Sequence, residues 1–112
     1  MGKGEFLGEF EHLVLLAVAR QDGDGYGVSL RHEIERRSGR EVTVGSVYAT
    51  LARLDEKGLV RSFEGRATAR RGGRSRRHFQ ILPGGIRALE RSRAMIESMW
   101  EGLDFGTTPD RA

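Results

Sequence analysis

The apolar positions near the start of the chain follow the spacing of an α-helix. They recur at i, i+4, i+7, i+8 and i+11, namely at Phe6, Phe10, Leu13, Val14 and Ala17. This spacing predicts a first helix that starts at Phe6 and ends before the glycine- and aspartate-rich turn at 21–25. A second helix is predicted over 26–38, because apolar residues line one side of it and Gly39 suits its C-terminal end.

The third predicted helix carries the most information about function. Thr43 is suited to cap its start, and Gly58 is suited to end it. Apolar residues at helical spacing form one side, namely Val44, Val47, Leu51 and Leu54. The other side presents hydrogen-bond donors and cations without an acid, namely Ser46, Thr50, Arg53 and Lys57. That side is expected to face water or a polyanion.

Two short segments after this helix have the composition of β-strands. Residues 59–63 and 77–81 alternate, or nearly alternate, and they flank a glycine- and arginine-rich segment at 65–75. This arrangement predicts a β-hairpin with a long basic tip. Pro83 then suits the first turn of a final helix, in which every seventh residue is apolar at Leu89, Ile96 and Leu103. Part of this helix could therefore form a coiled-coil-like seam.

Three helices followed by a ribbon with a cationic tip is the order of elements in a winged helix. The predicted fold is therefore mainly α with a small β-hairpin. It divides into a winged helix-turn-helix DNA-binding domain at 5–82, a C-terminal dimerisation helix at 83–104 and a disordered tail at 105–112. In such a domain the third helix enters the major groove of DNA, and the ribbon lies along the backbone or the minor groove.

The charge of the chain is unevenly distributed. Its 112 residues, enough for one domain, have a net charge of only +3. The stretch from Arg61 to His78 contains seven arginines and one glutamate, which gives +6 there and −3 in the rest of the chain. This asymmetry favours a local contact with a polyanion, the alternative being a solvated arginine-rich loop.

Several other classes of function are disfavoured. The absence of cysteine excludes disulfides and thiolate metal sites. The longest apolar run is too short for a transmembrane helix and no signal peptide is evident, so the expected compartment is the cytoplasm. No nucleophile, base, cofactor loop or metal-ligand spacing stands out, so we expect neither an enzyme nor a cofactor nor a metal site. A calcium loop from Asp22 is disfavoured because Tyr26 occupies a ligand position.

Several stretches match the pattern of one known family. They are Leu13–Ala19, Tyr26–Gly27, Gly45–Leu54, Lys57–Val60, Gly72–Arg74 and Arg77–Phe79. On these residues the chain resembles the PadR-type transcriptional regulators, in the short form that carries a single C-terminal helix. The likeness covers residues 7–103. Two positions depart from the family pattern, because Ala49 replaces a common proline and Leu82 replaces a common threonine that would cap the last helix.

The resemblance implies a homodimer that mostly acts as a repressor on partly palindromic operators. It places Thr43, Ser46, Tyr48, Thr50 and Arg53 near DNA, and we expect a DNA contact at Tyr26 as well. It implies a dimer interface between the first and last helices, which we expect at Phe6, Phe10, Leu89, Ile96, Met99, Trp100 and Leu103. Some members of the family release DNA when they bind small aromatic compounds, which makes Trp100 a candidate effector contact as well as an interface residue.

The arginines of the predicted hairpin tip are expected to neutralise phosphates; they are Arg66, Arg70, Arg71 and Arg74. Arg53 is the residue of the third helix best suited to a bidentate contact with guanine. Ser46 and Thr50 could instead belong to an ordinary wet helix face, and Tyr48 could pack on the core. Two other functions stay open: a winged-helix module that binds an acidic protein partner, and a protein that coats DNA without sequence preference.

Overall fold

Seven elements follow one another in the part of the chain that the computed structural model describes, residues 6–65 and 76–106. They are α1 (Glu9–Gln21), β1 (Gly25–Tyr26), α2 (Gly27–Ser38), α3 (Val44–Glu56), β2 (Val60–Glu64), β3 (Arg77–Ile81) and α4 (Pro83–Trp100). The prediction of a mainly α fold with a small β-hairpin is confirmed, and the strand β1 is an addition to it.

The ends of the central helices follow local chemistry. The Thr43 side chain accepts a hydrogen bond from Ser46 N at 3.0 Å and so caps α3. Gly39 and Gly58, which follow α2 and α3, have φ angles of +75° and +77°, a conformation that glycine adopts without a steric penalty. The first helix begins at Glu9 rather than at Phe6, because Gly8 precedes its first turn and its N–H donates to Glu11 Oε1 at 3.0 Å.

The three strands form one antiparallel sheet in the order β1-β3-β2. The predicted hairpin pairs Val60 with Ile81 and Glu64 with Arg77. On the other side of β3, the two residues of β1 pair with Phe79 and His78. The sheet therefore connects the segment before α2 with the wing.

The core lies between the first three helices and one face of the sheet. Its fully buried large side chains come from four elements, namely Val14, Leu15, Val18, Leu30, Val47, Leu51, Leu54 and Val60. Phe79 of β3 is 4% exposed and closes the core on the sheet side. Burying each such side chain stabilises the fold by about 1.5–3 kcal/mol, so this core fixes how α3 and the sheet lie relative to each other.

The last helix is held against the turn between α3 and β2. Leu82 N donates to Leu59 O at 2.9 Å, and α4 buries Gly85, Ala88 and Ser92 against the domain. Leu82 provides no side-chain cap, but Pro83 at the first helical position tolerates that loss. The helix ends at Trp100, so Leu103 lies beyond it and the predicted seam of residues spaced by seven stops at Ile96.

Candidate nucleic-acid interface and apolar groove

The exposed side of α3 begins with a closed first turn. Ser46 N donates to Thr43 Oγ1, and Ser46 Oγ donates to Thr43 O at 2.8 Å. Both residues are exposed, as the predicted DNA contacts at these positions require. The first turn of α3 therefore presents short polar side chains close to its backbone. They leave room for the edge of a DNA groove to approach.

Tyr48 connects α3 with the sheet. Its side chain is 41% exposed, and its ring lies 6.4 Å from the ring of Phe79, measured between centroids. The ring also covers Gly27, where an added Cβ would lie 2.7 Å from the Tyr48 hydroxyl and would overlap the ring carbons. Glycine at the start of α2 is thus what lets Tyr48 lie flat against the molecule with one side in water.

Tyr26, the residue before Gly27, packs against the wing. Its ring lies 5.7 Å from the ring of His78, and the guanidinium carbon of Arg76 lies 4.1 Å from its centroid. Tyr26 directly precedes Gly27, so the start of α2 is covered by Tyr48 at Gly27 and by Arg76 at Tyr26. Tyr48 meets Phe79 on the core face of the sheet, whereas Tyr26 meets His78 on the other face.

Thr50 does not belong to the exposed stripe, so its prediction as a DNA contact is wrong for this conformation. It is 1% exposed, and its hydroxyl oxygen accepts a hydrogen bond from Arg53 Nη2 at 3.1 Å. The reason is its spacing of three from Val47 and four from Leu54, which places it in the buried stripe of α3. Its role is to hold Arg53.

The cations of α3 meet an acid that the pattern within α3 does not reveal. Glu11 of α1 lies 2.9 Å from Lys57 Nζ and 3.6 Å from Arg53 Nε. The side chain of Lys57 is 27% exposed, whereas that of Arg53 is 54% exposed. Arg53 is the only cation among the DNA contacts predicted on α3. Glu11 and Thr50 orient its guanidinium.

These contacts also determine the ionisation of Glu11. Burial raises the pKa of its carboxyl group, but the hydrogen bonds from Gly8 N–H and Lys57 and the charges of Lys57 and Arg53 outweigh burial and lower it. The carboxylate is therefore ionised over the whole neutral range and joins α1 to α3.

Glu11→Gln is expected to lower the free energy of unfolding by about 1 kcal/mol at pH 7, because glutamine keeps the shape but loses the charge. A lowered pKa in the folded state stabilises the fold above the ordinary value of 4.5, and this contribution disappears as the pH falls through the lowered pKa. Urea unfolding of both proteins between pH 7 and pH 3 measures the difference, which should shrink towards acid pH.

Glu56→Gln is the matched control, because Glu56 is an exposed carboxylate near the end of α3. It should change the free energy of unfolding by less than about 0.5 kcal/mol. A gap between wild type and Glu11→Gln that is constant with pH would contradict the assigned role of Glu11.

The wing arginines divide into two groups. Arg66, Arg70, Arg71 and Arg74, the predicted phosphate contacts, lie outside the described residues. Arg61 lies near the start of β2, and Arg76 and Arg77 lie at the start of β3, where Arg77 Nη1 donates to Ser62 Oγ at 3.0 Å. Sequence reasoning counted these three in the local charge without giving them a role, and the alternation of the two strands is the signal that could have located them.

An apolar groove of about 890 Å³ lies between α1 and α4, and it is the candidate dimer surface. Its apolar lining consists of Leu7, Leu16, Leu89, Met95, Ile96 and Trp100. Ile96 is 49% exposed and Trp100 is 59% exposed, with the Trp100 ring edge-on to Phe105 at 6.2 Å. Large exposed apolar surfaces of this kind mark interaction sites.

The other predicted interface residues are placed differently. Met99, Leu103 and Phe6 are exposed by 74%, 55% and 42%. Leu89 is half-buried and packs on the core of its own chain while it lines the groove. Phe10 packs on that core too, with the Arg40 guanidinium 5.7 Å from its ring centroid. Phe10 therefore faces the loop before α3 and not the groove, and its place in an interface stays a prediction.

Other sites find little support in the described residues. Within 6–65 and 76–106, no three histidine, cysteine or acidic side chains are grouped so as to hold a metal ion. The stretch from Asp22 that was considered as a calcium loop is interrupted by α2. Within α2, Glu33 pairs with Arg37 at 2.6 Å. None of the helices in these two ranges is both long and apolar enough to cross a lipid bilayer.

The chain matches a known family of proteins and a protein from a transposon. Residues 15–91 match the model of the transcriptional regulator PadR-like family. A 79-residue stretch is 42% identical to an uncharacterized 37.1 kDa protein in transposon TN4556 of Streptomyces fradiae. That stretch is 70% of this chain but only 20% of the transposon protein, so the chain spans about a fifth of that relative.

Solved structures share the fold at low sequence identity. A PadR-like transcription factor from Bacteroides fragilis superposes with a TM-score of 0.69 at 18% identity, over 82% of this chain and 84% of that one. A PadR family regulator from Clostridium difficile gives 0.66 at 21% identity, over 83% and 95%. RosR from H. salinarum gives 0.65 at 22% identity, over 88% and 81%. At these identities the structures establish the fold alone.

Proposed function

Since this chain belongs to the PadR-like family of transcriptional regulators, we propose that it is a homodimeric repressor that binds a partly palindromic operator. Membership makes it a regulator that acts through DNA, and the family is not one of enzymes. The proposal adds the oligomeric state, the direction of regulation and the residues that touch the duplex. We propose the winged domain at 5–82 as the DNA-binding unit and the segment 83–104, which contains α4, as the dimerisation segment.

One observation carries the DNA-binding part of the proposal: the Tyr48 ring lies on Gly27, next to Tyr26 and the Arg76 above it. α3, through Tyr48, and the start of β3, through Arg76 on Tyr26, therefore both adjoin the start of α2. One duplex can contact both. We propose that α3 enters the major groove with Thr43, Ser46, Tyr48 and Arg53, while Tyr26 and the wing arginines, including Arg66, Arg70, Arg71 and Arg74, follow the backbone.

The groove between α1 and α4 supports the dimer. Its exposed apolar side chains gain most from a partner surface of the same kind, which a second copy supplies through a twofold axis. We propose an interface built on Ile96, Met99 and Trp100, with Phe6, Leu89 and Leu103 at its margins. Two α3 helices about 34–36 Å apart would then match half-sites one turn of DNA apart.

An effector is a further part of the proposal. Trp100 lines the groove, and Phe105 meets its ring edge. A small aromatic compound that stacks on Trp100 would compete with or rearrange contacts of α4, which would change the separation of the two α3 helices. We therefore propose that such a compound, where one acts, weakens DNA binding through α4.

The proposal is tested by titrating the promoter fragment upstream of its own gene, and a scrambled fragment, at several salt concentrations. Wild-type binding should weaken steeply with salt and favour the promoter. Arg53→Ala should reduce that preference by about 5- to 150-fold, the discrimination of one bidentate contact to guanine. Arg53→Lys keeps a charge beside Glu11 but lacks the planar fork, so it should lose the preference as well.

Each rival function has its own outcome in this titration. A flat salt response, or no binding at low salt, would refute the DNA role and favour a module that binds an acidic partner. Equal binding of promoter and scrambled fragments would indicate a DNA-coating protein. Arg36→Ala is the control for charge loss, because Arg36 is 66% exposed on α2 and pairs with Glu33.

A further inference from the structure

Three rings form a row across the face of the sheet that is turned away from the core. Tyr26 of β1 and Phe63 of β2 are both paired in register with His78 of β3. Their centroids lie 5.7 Å and 5.8 Å from the centroid of His78. Phe79, the next residue of β3, points the other way and is buried. Tyr26, His78 and Phe63 therefore form a continuous row of rings on the outer face of the sheet.

An arginine covers each end of this row. The guanidinium carbon of Arg61 lies 4.9 Å from the Phe63 centroid, and that of Arg76 lies 4.1 Å from the Tyr26 centroid. Both distances are within the range of a cation–π contact. Such a contact fixes the plane of the guanidinium while its N–H groups stay available at the edges.

These two arginines differ from most arginines on the helices. Arg31, Arg36, Arg37 and Arg93 each pair with a glutamate. Within residues 6–65 and 76–106, no ion pair joins Arg61 or Arg76 to a carboxylate, and rings hold them instead. Among these described residues, rings hold the two charges and no carboxylate pairs with them.

We propose that Arg61 and Arg76 are phosphate contacts of the wing, and that Phe63 and Tyr26 are the residues that position them. The occupant is the sugar–phosphate backbone of the duplex that α3 reads, so this inference rests on the proposed function. A planar guanidinium matches phosphate oxygens in pairs, and a ring beneath it reduces the conformational entropy lost on binding. Arg76 covers Tyr26, which directly precedes the Gly27 that Tyr48 of α3 covers, and Arg61 lies on β2 at the other end of the row.

The charge part of this inference is tested with Arg61→Ala and Arg76→Ala in the full-length protein. Each phosphate contact contributes about 0.9 to the slope of log K against log salt. Each variant should therefore lower the slope by about 0.9 and weaken binding about five-fold at 0.15 M salt, equally for promoter and scrambled DNA. Arg87→Ala, which removes an exposed arginine from α4, should leave the slope unchanged.

The positioning part is tested with a pair of variants at Phe63. Phe63→Leu keeps both arginines but removes the ring, and it should weaken binding about two- to five-fold with little change in slope. Phe63→Tyr keeps the ring and should bind like wild type. Thermal unfolding of both variants separates this effect from loss of the fold, and Arg61→Ala, an exposed change, decides the inference if Phe63→Leu unfolds.

The outcomes separate this inference from the proposed function. Salt-dependent binding by wild type, with wild-type slopes in both arginine variants, would overturn the inference and leave the regulator standing. No DNA binding by wild type would overturn the proposed function and the inference with it. Reduced slopes in both variants, together with weak binding by Phe63→Leu and full binding by Phe63→Tyr, are the supporting result.

Discussion

Replacing Ile96 with glutamate is expected to produce a folded monomer that binds its operator about 10²- to 10⁴-fold more weakly. Ile96 is 49% exposed on α4 and lines the groove, so the monomer tolerates a charge there. In a twofold dimer the substitution buries two carboxylates, each at a cost of several kcal/mol. Losing the dimer removes the gain that a second linked half-site provides. Sedimentation and DNA titration at micromolar protein measure both effects.

Ile86→Glu is the matched control for this experiment. Ile86 is 46% exposed on the same helix, but it does not line the groove. The same substitution there should leave the dimer and its DNA affinity intact. An Ile96→Glu protein that stays dimeric would place the interface elsewhere and contradict the proposed role of α4.

Gly85→Ala is expected to lower the free energy of unfolding by about 1–3 kcal/mol, a large part of the stability of a small domain. A Cβ at this position would overlap the Leu59 carbonyl oxygen and lie 2.7 Å from Ile81 Cγ1. The carbonyl belongs to the backbone of the turn that receives Leu82 N, so it cannot move aside as a flexible side chain would. The substitution should therefore separate α4 from the winged domain, and urea unfolding measures the loss.

Gly45→Ala provides the comparison, since it adds the same methyl group to a helix in an open position. Its nearest neighbour would be Thr43 Oγ1 at 3.9 Å. Alanine in a helix is about 0.5–1 kcal/mol more favourable than glycine, so this variant should gain stability. Equal stability of Gly85→Ala and Gly45→Ala would show that the first turn of α4 does not pack tightly against the turn before β2.

Local sequence signals predicted most of the helices and the hairpin. Thr43, Gly39 and Gly58 act where their chemistry indicated, because caps depend on residues within one turn. The strand β1 was not predicted. It has two residues, and it exists because Gly25 pairs with Phe79, which is far away in sequence. The end of α4 was misplaced for a similar reason, since apolar Leu103 suggested that the helix continues past Gly102.

The candidate site was predictable where exposure follows from spacing, and was missed where it depends on tertiary contact. Ser46, Tyr48 and Arg53 are exposed on α3 as expected. Thr50 was misassigned because a polar residue in a buried stripe has the same local pattern as one on a wet face. The pairing of Glu11 with Lys57 joins residues 46 positions apart, and no pattern within either helix encodes it.

The contact between Tyr48 and Gly27 constrains how this surface can vary during evolution. The ring occupies the space that any side chain at position 27 would need. Mutational tolerance at the two positions is therefore linked: a larger side chain at position 27 requires the Tyr48 ring to leave its place over α2. A smaller residue at 48 would release that restriction. Change that begins at position 48 avoids this cost, whereas change that begins at position 27 displaces the ring from the surface.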